Sequence, residues 1–245
     1  MNYVISDLHG RYDLFLRLLE MIRFNEADTL FFLGDAVDRG PDGVTILQDI
    51  MKRGNVVMLL GNHEDMFYRA IRNHETKLSI LDRSAARRSF ANWTERNGGL
   101  VTWEAYLALP KDRQHAIRNY ISHLPLCRDL TVNGRRFLLV HAGVGDYVPD
   151  KRPEDCEPMD MIWTRMDYAK AYYEDRYLVT GHTPTVLIDP NCKGRIFHGN
   201  NHIVVDCGAV FFGTLGCLCL DTMKEYYVNI NESIIESFQQ LAPSH

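Results

Sequence analysis

At 245 residues, 46% hydrophobic and 24% charged, the chain has the size and composition of an ordinary globular protein with a sizeable core. Its net charge of −5 argues against general binding to nucleic acid or to anionic membrane surfaces, because both select for basic surface. No apolar run approaches the roughly 20 residues that span a bilayer, and the amino terminus enters a strand-like run without a basic segment followed by an apolar one.

Met1 to Ser6 reads as a strand, with Asp7-Leu8-His9-Gly10 as the loop after it. Between Tyr12 and Ile22 the apolar residues Phe15, Leu16, Leu19 and Ile22 recur at helical spacing. A second apolar strand, Thr29 to Leu33, runs into Gly34-Asp35-Ala36-Val37-Asp38-Arg39-Gly40. A helix is expected from about Gly43 to Lys52, burying Val44, Leu47 and Met51. A third strand, Val56 to Leu60, leads directly into Gly61-Asn62-His63-Glu64. Unbroken apolar strands that alternate with helices predict a parallel sheet covered on both faces.

From about Asp65 to Pro125 the pattern changes to helical segments rich in Arg and aromatic residues, broken by an Asn97-Gly98-Gly99 turn. This reads as a helical insertion, either shaping a substrate groove or simply covering the surface. Beyond Leu130 the chain turns β-rich. Thr131-Val132 and Phe137 to Val140 flank Asn133-Gly134, a strong hairpin signal. That strand ends in His141-Ala142-Gly143, and a strand over Tyr177–Thr180 ends in Gly181-His182-Thr183-Pro184. The runs His202–Asp206, Thr214–Leu220 and Glu225–Ile230 are expected to close the fold as an antiparallel set, and Glu232–His245 reads as a short helix or frayed end. No repeat, low-complexity tract or linker divides the chain, so one domain over residues 1–245 is expected.

The six cysteines lie in the second half without framework spacing, and Cys217-x-Cys219 reads as two small buried hydrophobes on one strand face. Free thiols of this kind fit a reducing, cytoplasmic location.

The chemistry lies at the strand ends. Asp7 with His9, Asp35, Asn62 with His63, His141, and His182 each follow an apolar strand. Buried Asp and His must be paired or neutralised, and a mixture of carboxylate, imidazole and amide donors suits borderline divalent metals such as manganese, iron or zinc. The set is large enough for two ions that share one carboxylate.

In this order, Asp7-x-His9-Gly10, Gly34-Asp35-x-x-Asp38-Arg39-Gly40, Gly61-Asn62-His63-Glu64, His141-Ala142-Gly143 and Gly181-His182-Thr183-Pro184 resemble the signature of the calcineurin-like metallophosphoesterases. The resemblance is strongest to the small bacterial and bacteriophage-lambda-type serine/threonine protein phosphatases and runs from Tyr3 to about Leu220. It implies an α/β fold of two mixed β-sheets packed as a sandwich, flanked by helices. It also implies a pair of divalent metal ions, most often manganese, with Asp7, His9 and Asp35 on the first and Asp35, Asn62, His141 and His182 on the second. Two ions about 3.5–4 Å apart would supply a hydroxide for direct attack on phosphorus. By the same resemblance His63 is the general acid oriented by Asp38, while Arg39, Arg165 and Asn62 bind the phosphoryl group. Arg165 matches through Ile162-Trp163-x-Arg165. The remaining histidines (His74, His115, His123, His198, His202, His245) have no motif around them and read as structural or surface residues.

The implied activity is hydrolysis of phosphoserine or phosphothreonine, with phosphotyrosine as a further substrate, on a phosphoprotein or phosphopeptide by a monomer or small homo-oligomer. One position departs from that pattern. Leu60 stands where the protein phosphatases usually carry Arg before Gly-Asn-His-Glu, and an apolar residue there is common in symmetrical diadenosine tetraphosphate hydrolases, the alternative. Asp38 within Asp-Arg-Gly, Glu64 and Thr183-Pro184 lean towards the protein phosphatases.

Overall fold

The structure, a computed structural model, describes residues 1–77 and 79–230; the expected terminal helix over Glu232–His245, and His245 with it, lie outside that range. In chain order the elements begin with β1 (Asn2–Ile5), α1 (Tyr12–Met21), β2 (Thr29–Phe32), α2 (Gly43–Ile50) and β3 (Val56–Met58). Four helices follow, α3 (Asn62–Glu75), α4 (Ile80–Ala91), α5 (Leu100–Leu107) and α6 (Lys111–Ser122), with a π-helical turn over Asn92–Arg96. The second half holds β4 (Cys127–Val132), β5 (Arg135–Val140), α7 (Pro158–Trp163), β6 (Tyr177–Thr180), β7 (Phe197–Gly199), β8 (His202–Val204), α8 (Ala209–Phe212), β9 (Thr214–Cys219) and β10 (Glu225–Asn229).

Two five-stranded mixed sheets result, ordered β10-β9-β1-β2-β3 and β4-β5-β6-β8-β7. Three parallel strands stand together in each, β1-β2-β3 in one and β5-β6-β8 in the other, and the antiparallel partners lie to their sides. The unbroken apolar strands are explained by cover on both faces. Along β1, Tyr3 and Ile5 turn towards α1 and α2, while Val4 turns into the space between the sheets. Phe31, Leu33 and Leu218 from the first sheet meet Phe137, Leu139, Val179 and Ile203 from the second. This interdigitation fixes the sheets face to face and brings the carboxyl ends of both parallel triads to one rim, where open α/β sheets carry their sites.

The hairpin forms as expected, with Asn133 and Gly134 both at positive φ between β4 and β5. Cys217 and Cys219 are buried free thiols on the helix-facing side of β9, and burial pushes the Cys217 thiol upward. One expectation needs correction. The run from His202 does not join an antiparallel closing set; β8 pairs parallel with β6 in the second sheet, and β9 with β10 alone form the antiparallel pair beside β1. An apolar run marks a strand without marking its partner, so this pairing is decided between elements.

The insertion is helical throughout, and α3 starts inside the Asn62-His63 motif itself. Its aromatic residues pack against one another, and Phe90, Trp93 and Trp103 also line a cavity of about 390 Å³ away from the rim. Phe67 stacks on Trp93 at 5.7 Å, Trp103 stacks on Tyr106 at 5.9 Å, and Phe90 meets both tryptophans edge-on. Outside this cluster α4 buries no residue.

Candidate active site and metal centre

Six strands deliver polar side chains to the shared rim. β1 carries Asp7 and His9, β2 carries Asp35, Asp38 and Arg39, and β3 leads to Asn62 and His63. From the second sheet come His141 after β5, His182 after β6 and Asp206 after β8. Most of these residues, with Arg165 and Trp163 from the end of α7, line a cleft of about 250 Å³. Asp38 and His141 lie buried immediately behind it.

The backbone at this rim is unusual. Asp7, His9, Asp35, Asp38, Arg39 and His182 all have φ between 44° and 72°. Asp tolerates the left-handed region better than most residues, whereas for His and Arg it is uncommon, and such conformations persist only where surroundings over-determine them. The buried Glu64 does part of that work by accepting hydrogen bonds from the amides of Asp35, Ala36 and Val37 at 2.8, 2.8 and 3.3 Å. Gly61 is required by close approach, since a Cβ there would lie 2.2 Å from Asp35 Oδ1.

Asp35 sits at the centre. Its Oδ2 is 3.7 Å from His9 Nε2, 3.5 Å from His141 Nε2 and 3.9 Å from His63 Nε2. Asn62 Oδ1 lies 2.9 Å from His141 Nε2 and 3.1 Å from His182 Nδ1. Asp7 approaches His9 Nε2 at 3.9 Å and accepts from the His182 amide at 2.9 Å and from the Ser6 hydroxyl. The distal ring nitrogens are fixed by main-chain carbonyls, His9 Nδ1 on Val37 O at 2.9 Å and His141 Nδ1 on Leu33 O at 2.8 Å. In each ring that N–H leaves Nε2 as a lone-pair donor turned to the centre.

The electrostatics are those of a cation site. Burial pushes the Asp35 carboxyl well above its usual range, reinforced by the charges of Asp7 and Glu64, and Asp206 rises through burial and its proximity to Asp7. Glu64 rises to about 7 for the same primary reason, burial. Desolvation holds His9 and His141 neutral and brings His182 down to about 2. Packed acids that resist ionisation beside neutral imidazoles are destabilised alone and relieved by positive charge. Among the described residues, donor atoms of His9, Asp35 and His63 lie within 4.8 Å of one another, as do those of Asp35, His141 and His182; Asp35 belongs to both groups, and beside the first Asp7 stands 3.9 Å from His9 while His63 is held by Asp38. The residues therefore fit a pair of divalent ions that share Asp35.

His63 differs from the other rim histidines. Its Nδ1 is 2.6 Å from Asp38 Oδ2, and its Nε2 faces the cleft 3.0 Å from an Arg39 nitrogen. Arg39 also contacts His9 Nε2 and stacks over the Phe211 ring at 5.1 Å. Arg165 is an exposed residue of the cleft wall. Leu60 does not reach the cleft; it packs against the helix-side core. Of the histidines without motif context, His202 is buried against Thr180 Oγ1 at 2.8 Å, as a structural residue would be.

Three contributors escaped the sequence reading. Asp206 obeys the same strand-end rule as the others but stands in no recognised motif. Trp93 and Thr102 come from the insertion, the indole donating to Asp38 Oδ2 at 2.6 Å and the hydroxyl accepting from the Asp38 amide at 2.8 Å.

Two mixed sheets with a carboxylate- and histidine-rich pocket at their common rim define a metallophosphoesterase. The chain belongs to the calcineurin-like phosphoesterase family, whose model matches residues 3–213. It is a metal-dependent phosphoester hydrolase, and the family uses a dinuclear divalent metal centre. It is 28% identical to the asymmetrical bis(5′-nucleosyl)-tetraphosphatase PrpE of Bacillus velezensis, over 85% of this chain and 84% of the relative. To the protein of the same name in Bacillus cereus it is 30% identical, over 88% and 89%. A solved structure of a candidate diadenosine tetraphosphatase superposes with a TM-score of 0.65 at 18% identity, covering 93% of this chain and 92% of its own.

These relatives overturn the expectation of a serine/threonine protein phosphatase acting on phosphoproteins. The physical reason is visible in the site. Two of the residues that leaned that way, Glu64 and Asp38, act within the rim itself, Glu64 bracing the Asp35 loop and Asp38 holding His63. They carry no information about what lies beyond the phosphate. Among the described residues no helix is long and apolar enough to cross a membrane.

Proposed function

We propose that this chain hydrolyses bis(5′-nucleosyl) tetraphosphates asymmetrically, releasing a nucleoside triphosphate and a nucleoside monophosphate. The observation that carries the reading is the near full-length match to relatives named for that reaction. The site is compatible with it, since a phosphoanhydride and a phosphate ester present the same tetrahedral phosphorus to the rim. The symmetrical cleavage considered from Leu60 alone has less support, both because the named relatives are asymmetrical and because Leu60 packs on the core and does not line the cleft.

In this reading Asp7, His9 and Asp35 hold one divalent ion, and Asp35, Asn62, His141 and His182 hold the other, with Asp206 adding negative charge to the same pocket. The bound ions would supply Lewis acidity and lower the pKa of water at neutral pH. The chain's own groups do the rest. Arg39 and Arg165, at the mouth, pair with the non-bridging phosphate oxygens, for which a planar guanidinium is well shaped. Asn62 orients the phosphate through its amide. Asp38 accepts from His63 Nδ1 and so fixes the ring with Nε2 turned to the cleft, where it carries the proton given to the departing phosphate oxygen. Burial opposes charge on both partners, sending Asp38 up to about 7 and His63 well down, with Arg39 lowering His63 further; donation from Nε2 therefore requires the imidazolium, which the negative charge of a bound phosphate would favour.

The test is a product analysis of diadenosine tetraphosphate hydrolysis by the manganese-loaded chain. ATP with AMP is the expected outcome. Two molecules of ADP would overturn the asymmetrical assignment. An intact dinucleotide in a preparation that cleaves p-nitrophenyl phosphate would overturn the substrate class.

A further inference from the structure

We propose that Trp93 is a positioning residue for the His63–Asp38 pair, and that the helical insertion exists in large part to hold its indole in place. The inference rests on reading His63 as the proton donor, and the experiment below separates the two.

Asp38 is fully buried, and its two carboxylate oxygens are treated very differently. Oδ2 lies 2.6 Å from His63 Nδ1 and 2.6 Å from the indole nitrogen of Trp93, while Oδ1 has no hydrogen-bond partner within 3.5 Å among the described residues. A buried carboxylate with one satisfied oxygen has its plane set by whatever meets that oxygen. Removal of the indole N–H leaves the imidazole as the sole ligand of Oδ2. The terminal torsion of Asp is broad and nearly two-fold, so without the indole only the Thr102 hydroxyl and the imidazole remain to hold the Asp38 carboxyl in its plane.

An indole N–H suits this place for a chemical reason. It donates and never accepts, so it fixes the carboxylate without competing for the proton on His63. A tyrosine hydroxyl could exchange roles with the pair, and a lysine would bring a charge into a dry site.

Part of the insertion packs around that ring. Trp93 is buried, stacked on Phe67 and enclosed edge-on by Phe90 and Trp103. Its carbonyl accepts from the amides of Asn97 and Gly99 at 3.2 and 3.1 Å, folding the Asn97-Gly98-Gly99 turn back beneath the ring. Gly99 is obligatory there, since a Cβ would lie 2.2 Å from the indole. The same turn reaches the catalytic loop directly, where the Gly98 carbonyl accepts from the Arg39 amide at 3.0 Å. Thr102, on the next helix, accepts from the Asp38 amide at 2.8 Å. Indole, carbonyl and hydroxyl therefore grip Asp38 and Arg39, two adjacent residues whose φ angles of 72° and 68° need external support.

The experiment replaces Trp93 by 3-benzothienylalanine, which keeps the bicyclic shape and removes only the N–H; Trp93→Phe is the genetically simpler companion. Trp103→Phe is the packing control, drawn from the same cluster without contact to Asp38. The first readout is the imidazole ¹⁵N and ¹H spectrum of the zinc-loaded protein, with the His63 resonances assigned by their loss in His63→Asn. The second is turnover on phenyl phosphate and on p-nitrophenyl phosphate, a poorer and a better leaving group.

Both Trp93 replacements are expected to shift the His63 Nδ1 resonances. They are also expected to lower kcat on phenyl phosphate by about tenfold or more, the scale set by losing an outer hydrogen-bond partner of a working histidine. The loss on p-nitrophenyl phosphate is expected to be smaller and KM little changed, while Trp103→Phe leaves the His63 resonances in place. Unchanged His63 resonances in the benzothienyl protein would overturn the positioning role. Shifted resonances with equal losses on both esters would uphold the positioning role and overturn His63 as proton donor.

Discussion

The rim of the sandwich and the helical insertion solve opposite problems. The rim is rigid and costly, with six residues in left-handed conformations and buried acids packed around Asp35. It is held by the parallel triads of two sheets, by Glu64 and by Gly61. The insertion is inexpensive over much of its length. Helix α4 buries nothing, and Ile80 and Leu81 at its start are 84% and 83% exposed. Elsewhere Phe67, Tyr106, Ile117 and Ile121 bury against the core, and Trp93, Gly98 and Thr102 tie the insertion to the rim.

That contrast can be broken by four substitutions of decreasing expected effect. Asp35→Asn removes the carboxylate common to both donor groups, and both bound metal and turnover should disappear, as read by metal analysis of the purified protein and by assay. A variant that kept two ions would show that Asp35 is not the shared ligand. Next, His63→Asn should retain its metal while kcat falls by about 10²–10⁴ on phenyl phosphate. The loss on diadenosine tetraphosphate should be smaller, because a departing phosphate needs protonation less than a phenoxide does. Equal losses would remove proton donation from the role of His63.

Gly61→Ala tests the rim's rigidity. The added methyl would meet Asp35 Oδ1 at 2.2 Å and Glu64 Oε2 at 2.6 Å, so a stability loss of about 1–3 kcal/mol is expected in chemical denaturation. Last, Leu81→Ser on the outer helix should change stability by no more than about 0.5 kcal/mol and leave kcat alone. A cost matching that of Gly61→Ala would erase the distinction between the two regions.

The sequence by itself determined a good deal. An apolar strand that runs into an acid, an amide or a histidine is a local pattern, and its repetition at Asp7, Asp35, Asn62, His141 and His182 was enough to place the pocket and the parallel strands that carry it. The Asn133-Gly134 hairpin and the buried character of Cys217 and Cys219 were equally local and equally legible. What only the tertiary structure decided depends on contacts between distant segments. Strand β8 chose β6 as its parallel partner, and with it Asp206 entered the pocket, although nothing around Asp206 distinguishes it from other strand-end acids. Trp93 lies 55 residues from Asp38, among aromatic residues that a linear reading treats alike, and only packing selected it. The substrate class was also hidden, because a phosphate ester and a phosphoanhydride present the same phosphorus to the motif residues. What distinguishes the classes must contact groups beyond the phosphate, in a mouth assembled from segments as far apart as Arg39, Trp163 and Phe211.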